Sequence, residues 1–115
     1  MSPLRTTVRN TQAGPVLTVA GDLDYNTADE LRQVVTDLTL TPGQRLVLDL
    51  GRLDFCDSSG ITTFIVARNH ATAAQAGIVL VAVPAAVLRV LRVTGLDQVF
   101  PHEPGLDTRD RAAGG

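Results

Sequence analysis

The sequence predicts an α/β domain with a mixed β-sheet that carries its helices mainly on one face. Residues 46–50 and 78–83 are almost uninterrupted apolar runs of strand length, as expected for strands in the middle of a parallel sheet. The segments between and after these runs place apolar residues at helical spacing. The predicted order is strand, strand, helix, strand, helix, strand, helix, strand, with right-handed crossovers between parallel strands.

The first third of the chain predicts a β-hairpin followed by a helix. Residues 4–9 and 16–20 are β-rich and are separated by a turn-forming segment, which is typical of a hairpin. Thr27 and Glu30 have the spacing of a capping box, so we expect Thr27 to be the N-cap and Glu30 to bond back to it. The helix then presents one apolar stripe, formed by Leu31, Val34, Val35 and Leu38.

The central strand, residues 46–50, is expected to be buried on both faces because it is nearly continuously apolar. A polar turn at residues 57–60 follows, and apolar residues at helical spacing then predict a second helix. Ile61 and Ile65 lie to one side of the main apolar line of that helix. They are either buried between neighbouring elements or form a small exposed patch beside the turn, and the sequence leaves both possibilities open.

The last third predicts a strand, a helix and a short final strand. Gly77 ends the second helix, and residues 78–83 form the next strand. Pro84 fits the first turn of a third helix, and Gly95 lies where a left-handed C-terminal cap is expected. Residues 99–100 are enough for a short last strand.

Composition indicates one domain with an aliphatic core. The chain has 115 residues, of which 44% are hydrophobic and 3% are aromatic, and it contains no Trp. A core of this composition depends on Val, Leu, Ile and Ala. We assign the domain to residues 1–100. Residues 101–115 contain prolines, several charges and a Gly-Gly end, and we expect a flexible tail there.

Charge and cysteine usage argue against several classes of function. The net charge is −2 and the pI is about 5.5, so no basic surface for nucleic acid is expected. Cys56 is the only cysteine, which precludes an intrachain disulfide. The N-terminus lacks the pattern of a secretion signal and no apolar run reaches membrane-spanning length, so we expect a cytoplasmic protein without a membrane partner.

The turn Asp57-Ser58-Ser59-Gly60 is the strongest candidate site. It places two hydroxyls at the start of a helix, where free N–H groups and the helix dipole favour a phosphate or carboxylate. The local alternative is a purely structural cap, for which Asp57 and Ser58 are both suitable, and we expect Ser58 to be the N-cap.

Catalysis by the chain itself is not expected. The turn lacks the first Gly of a Gly-x-Ser-x-Gly nucleophile elbow. His70 lies eleven residues beyond Ser59, about 16 Å along the helix, which is too far for a base. The single Cys and two distant His provide no spacing for metal ligands. No phosphate-binding Gly-rich loop occurs, so we predict no cofactor and no enzyme activity.

Residues 4–100 resemble the STAS-domain anti-sigma factor antagonists. The resemblance is carried by the serine turn, by Gly21-Asp22-Leu23-Asp24 before the first helix and by Val93-Thr94-Gly95-Leu96 after the last. It implies a STAS-like fold and partner switching. The unphosphorylated protein would bind an anti-sigma factor that is also a serine kinase with a GHKL-type ATP-binding domain, and would thereby free a sigma factor. A separate Ser/Thr phosphatase would reverse the phosphorylation.

The resemblance also implies roles for individual residues. Ser59 matches the family's phosphorylated serine, and Asp57, Ser58 and Gly60 match its support. The expected partner-binding surface consists of Asp24, Ser58 and Ser59, which the resemblance indicates, and of Ile61, which would flank the serines as an apolar residue. For Asp24, ordinary turn chemistry is an equal alternative on local grounds. One alternative function is a constitutive STAS scaffold in a stress-signalling assembly; a remoter one is an enzyme with Ser59 as nucleophile.

Overall fold

The computed structural model describes residues 3–103 as five strands and three helices. The strands are β1 (Arg5–Thr11), β2 (Gly14–Leu23), β3 (Arg45–Cys56), β4 (Gly77–Val81) and β5 (His102–Glu103). The helices are α1 (Ala28–Asp37), α2 (Ser58–Ala73) and α3 (Ala85–Thr94). This order of elements agrees with the order that the sequence predicts.

The strands form one mixed sheet in the order β1-β2-β3-β4-β5. β1 and β2 are antiparallel and are joined across the pair Thr11 and Gly14, which confirms the hairpin. β2, β3, β4 and β5 run parallel to one another. Since consecutive parallel strands are neighbours, their carboxyl ends lie along one edge of the sheet.

All three helices pack on one face of the sheet. A single hydrophobic core contains alternate residues of the central strands together with residues of every helix. From α1 it takes Leu31 and Val35, from α2 Phe64, and from α3 Val87 and Leu91. The predicted α/β fold, with its helices on one face, is therefore confirmed.

The prediction that the central strand is buried on both faces is wrong. Leu46, Leu48 and Leu50 are fully buried beneath the helices, whereas Val47 and Asp49 on the other face are only half-buried. β3 also continues through polar residues to Cys56, because its neighbour β2 extends to Leu23 and the two remain paired across two register shifts. In β4, by contrast, every residue after Gly77 is buried, on both faces of the sheet.

The predicted capping box at the start of α1 does not form. Thr27 is the N-cap, but its side chain makes no capping bond. The Thr27 hydroxyl instead donates to the Asp22 carbonyl at 2.8 Å and accepts from the Asp24 N–H at 2.9 Å. The hydroxyl that a capping box requires is thus already bonded to backbone groups of the loop before α1.

The C-terminal part combines a confirmed cap with a displaced strand. Gly95 adopts φ 78° and ends α3 in the left-handed conformation, as predicted. A 3₁₀ turn at Leu96–Gln98 follows, so residues 99–100 do not form the last strand. Phe100 is fully buried, and pairing resumes at β5. The sheet thus includes residues assigned to the tail, and the remainder of that tail, 104–115, lies outside the described residues.

Phe64 occupies the centre of the core, so Phe64→Ala should lower the free energy of unfolding by about 3–5 kcal/mol. The side chain is completely buried, and its removal would leave a cavity between α2 and the sheet. Chemical denaturation monitored by circular dichroism would measure the loss. Val93→Ala is the control, because Val93 is 81% exposed on α3 and its truncation should change stability by less than about 0.5 kcal/mol. Equal losses for the two variants would contradict this packing.

Candidate functional site

The serine turn lies at the edge of the sheet where β2 and β3 both end. Leu23 and Cys56 are paired as the last residues of these parallel strands. The N–H of Asp57 donates to the Leu23 carbonyl at 3.1 Å, which holds the turn after β3 against the end of β2. The structure therefore brings the loop that begins at Asp24 beside the turn that begins at Asp57.

Asp57 is the N-cap of α2. Its Oδ1 accepts from the N–H of Ser59 at 2.8 Å and from that of Gly60 at 3.3 Å. Its carbonyl accepts from the N–H groups of Gly60 at 3.0 Å and Ile61 at 3.2 Å. The expectation that Ser58 is the N-cap is wrong, because Asp57 provides both a carboxylate and the extended backbone that a cap requires. Ser58 is instead the first residue of the helix.

Gly60 allows α2 to approach the ends of both strands. A Cβ atom at this position would lie 2.6 Å from the Cys56 Sγ and 2.8 Å from the Leu23 Cγ. Such distances are much shorter than van der Waals contact. The close packing of the helix onto β2 and β3 therefore requires a residue without a side chain, and the role of Gly60 in supporting a phosphorylation site stays a prediction.

The two serines face different grooves on the surface. Ser59 lies in the α1–α2 groove, a depression of about 480 Å³ that is also lined by Tyr25, Asp29 and Arg32. Ser58 lies in the α2–α3 groove, of about 400 Å³, together with Cys56, Val87 and Val90. Thr62 lines both grooves and forms the ridge between them.

Both serine hydroxyls are free of bonds to the residues that the structure describes. Among residues 3–103, neither Ser58 Oγ nor Ser59 Oγ has a hydrogen-bond partner, although the Ser58 and Ser59 carbonyls accept from the hydroxyls of Thr62 and Thr63, each at 3.0 Å. Ser58 is exposed and Ser59 is half-buried. Asp57 caps the helix, so the turn does not depend on bonds from the serine hydroxyls.

Asp24 organises its own loop. Its Oδ1 accepts from the N–H of Asn26 at 2.9 Å and from that of Thr27 at 3.2 Å, in an Asx turn. The side chain thus has the turn role that the sequence left open. Asp24 directly follows Leu23, whose carbonyl accepts from the Asp57 N–H, and its part in partner binding stays a prediction.

Ile61 does not form an exposed patch with Ile65. Ile61 is only 8% exposed and belongs to the core, and Ile65 is half-buried against it. Of the two possibilities that the sequence left open, burial is correct. Ile61 presents only its edge to the α2–α3 groove, so any contact with a partner would be limited to that edge.

Tyr25 and Arg32 also line the groove of Ser59, and the sequence pattern did not indicate either residue. Tyr25 is 83% exposed, which is unusual for an aromatic side chain, and it lines the same groove as Ser59. Arg32 forms an ion pair with Asp29 at 2.7 Å on the surface of α1. The only signal in the sequence was a lone tyrosine in a polar loop, since the packing of α1 beside α2 cannot be inferred from local pattern.

Cys56 is a weakly acidic thiol below the serine turn. Burial, with a smaller contribution from the neighbouring Asp57 carboxylate, raises the pKa of Cys56 to about 12. The thiol is therefore protonated at neutral pH and has little nucleophilic character. It contributes packing against Gly60 instead of reactivity.

Other reactive groups lie away from the turn. His70 is near the far end of α2, where its Nε2 is 2.8 Å from the Leu38 carbonyl. It is half-buried, and this contact links α2 to the end of α1. The described part of the chain contains no cluster of three potential metal ligands. Within residues 3–103, each helix is also too short or too polar to cross a bilayer.

Gly60→Ala should destabilise the protein by about 1–3 kcal/mol through overpacking. At an unhindered helical position the same change would be favourable by about 1 kcal/mol, so the sign of the effect tests the close contact. Gly77→Ala is a suitable control, because a Cβ there would lie an ordinary 3.7 Å from the Arg45 Cγ. Denaturant titration would measure both variants, and a stabilised Gly60→Ala protein would contradict the described packing.

The Cys56 thiol should react slowly with iodoacetamide at pH 8 in the native protein and much faster in denaturant. Its raised pKa keeps the native thiol protonated, whereas an unfolded cysteine titrates near its ordinary value of 9.0. By linkage, this contribution to stability is complete below pH 9 and is lost as the pH rises toward 12. Mass spectrometry would follow the alkylation, and equal native and denatured rates would refute the assignment.

Comparison with known proteins relates this geometry to a family. A family model described as "Mlab, STAS domain" matches residues 6–102. The anti-sigma-B factor antagonist of Listeria monocytogenes is 27% identical over 82 residues, which cover 71% of this chain and 72% of that protein. A STAS-domain containing protein of Pseudomonas aeruginosa is also 27% identical over 82 residues, which cover 71% of this chain and 80% of that protein.

Solved structures give the same result for the fold. An anti-sigma factor antagonist from Mycobacterium paratuberculosis superposes with a TM-score of 0.80 at 29% identity, covering 96% of this chain and 93% of that one. Unphosphorylated SpoIIAA, an anti-sigma factor antagonist, superposes with a TM-score of 0.73 at 19% identity, covering 96% of this chain and 97% of that one. The match over nearly the whole described region, together with the sheet, helices and serine turn, leads to one conclusion: the chain belongs to the STAS domain family.

Proposed function

We propose that this protein is an anti-sigma factor antagonist that acts by partner switching, with Ser59 as its phosphorylation site. The observation that supports this most strongly is the free Ser59 hydroxyl, which lies in an open groove at the start of a helix whose cap is provided by another residue. The similarity to anti-sigma factor antagonists supplies the kind of partner. In the unphosphorylated state the protein binds an anti-sigma factor and frees a sigma factor.

Phosphorylation would act on the surface and leave the fold intact. The Asp57 carboxylate and carbonyl hold the first-turn amides through bonds that do not involve the serine hydroxyls. A phosphate on Ser59 would therefore extend into the α1–α2 groove without breaking the cap. The consequence is a change in the shape and charge of the binding surface instead of local unfolding.

The loss of binding follows from charge and desolvation. A phosphoserine adds about −1.5 to −2 charge at pH 7. Asp29 already lines the groove, and the Asp57 carboxylate is within the same turn as Ser59. A partner that covers this surface must desolvate the added charge beside these acids, which opposes association.

The catalytic steps are assigned to other proteins. Ser59 has no basic side chain bonded to it among the described residues, and His70 is engaged with Leu38. We therefore propose that the chain is not an enzyme. The partner is an anti-sigma factor with a GHKL-type kinase domain that brings the ATP, and a Ser/Thr phosphatase reverses the reaction, with all components in the cytoplasm.

Ser59→Asp should weaken binding to the anti-sigma factor at least tenfold, whereas Ser59→Ala should bind as the unmodified protein does. The carboxylate introduces a charge that must be desolvated in the complex, and the alanine does not. Calorimetric titration against the partner would measure the affinities, with thermal melts to show that each variant is folded. Authentic phospho-Ser59 should bind more weakly still, since its charge is larger.

Ser58 provides the matched control, because it is adjacent in sequence but faces the α2–α3 groove. Ser58→Ala should retain phosphorylation on Ser59 when the protein is incubated with its kinase and analysed by mass spectrometry. A phosphate found only on Ser58 would refute the site. Equal affinity of the unmodified and phosphorylated proteins for the partner would refute the switch and leave a constitutive STAS scaffold.

A further inference from the structure

The α1–α2 groove contains a positive charge that local sequence around the serine turn does not reveal. Among the described residues that line this groove, Arg32 is the only basic one, and it shares the groove with Ser59. The two residues come from different helices and are 27 positions apart in the chain. Their proximity is therefore a product of the packing of α1 against α2.

A phosphate on Ser59 would lack most of the usual partners at a helix N-terminus. Anions at such positions are normally bound by the free N–H groups of the first turn. Here the N–H groups of Ser59 and Gly60 already donate to the Asp57 carboxylate, and the N–H of Ile61 donates to the Asp57 carbonyl. Among the described residues, only the Ser58 N–H of this first turn has no intramolecular acceptor. Most of the counter-charge for the phosphate must therefore come from outside the backbone of α2.

Arg32 is free to provide that counter-charge. Its present partner is Asp29, and the side chains of this ion pair are 57% and 84% exposed. Ion pairs with such exposure are weak because solvent competes for both groups. A phosphate carries more charge than a carboxylate, and it presents oxygens that an arginine can bind with two N–H groups at once.

We infer that Arg32 is the intramolecular counter-ion of phosphorylated Ser59, exchanging its surface pair with Asp29 for a pair with the phosphate across the α1–α2 groove. The inference rests on the proposed phosphorylation of Ser59. The phosphate and the Arg32 side chain would together occupy the α1–α2 groove. The groove is open in the unmodified protein and would be filled in the phosphorylated one. Arg32 is thus a positioning residue for the phosphate.

The second ionisation of the phosphate provides a direct test. Phosphoserine can be incorporated at position 59 by genetic encoding, without any kinase, and titrated by ³¹P NMR. The charged groups that face the phosphate are Arg32 and Asp29 from α1 and Asp57 from the serine turn, and the Tyr25 side chain lines the same groove. Among these side chains, Arg32 alone carries a positive charge and favours the dianion, whose formation has an ordinary pKa of about 6.

We expect Arg32→Gln to raise this phosphate pKa by about half a unit or more, because the dianion loses its positive neighbour. Arg32→Lys should raise it by less, since the charge remains. Arg89→Gln is the matched control: Arg89 is exposed on α3 and lines neither groove, so the pKa should not change. Circular dichroism would verify that each variant is folded.

An unchanged phosphate pKa in Arg32→Gln, or an equal rise in Arg89→Gln, would overturn the inference. Neither result would affect the proposed switch, which is judged by the affinity of the phosphorylated protein for the anti-sigma factor. Conversely, if phosphorylation leaves that affinity unchanged while Arg32→Gln raises the pKa, the counter-ion is confirmed and the switch is rejected.

Discussion

The close contact between the first turn of α2 and the ends of β2 and β3 is the constraint on which the candidate site depends. Gly60 removes the side chain that would collide with Cys56 and Leu23. The Asp57 N–H bond to the Leu23 carbonyl then holds the turn in place. Any outward movement of α2 would separate the serine turn from the Asp24 loop and open the groove that contains Ser59.

Much of this arrangement could be predicted because its signals are local. The hairpin, the three helices and the left-handed cap at Gly95 each depend on short-range turn chemistry or apolar spacing. The serine turn could be located for the same reason, since a strand followed by Asp-Ser-Ser-Gly and a helical pattern occupies one continuous stretch of chain.

The features that could not be predicted depend on contacts between distant segments. Thr27 does not form the capping box, because in the folded loop its hydroxyl bonds to the Asp22 carbonyl and to the Asp24 N–H. β3 is open on one face because all the helices pack on the other. Arg32 lines the groove of Ser59 only because α1 packs beside α2. In the sequence, its residue type and its spacing from Asp29 look like those of any arginine on a helix surface.

The Thr62 ridge gives adjacent serines different directions of approach. Successive helical residues are rotated by about 100°, and here that rotation points Ser58 and Ser59 into depressions on opposite sides of Thr62. A modifying protein that docks along α1 would therefore meet the Ser59 hydroxyl. One that docks along α3 would meet the Ser58 hydroxyl. Under the proposed phosphorylation, the angle of docking would select between two chemically identical neighbours, without any need for the docking protein to discriminate between amino-acid motifs.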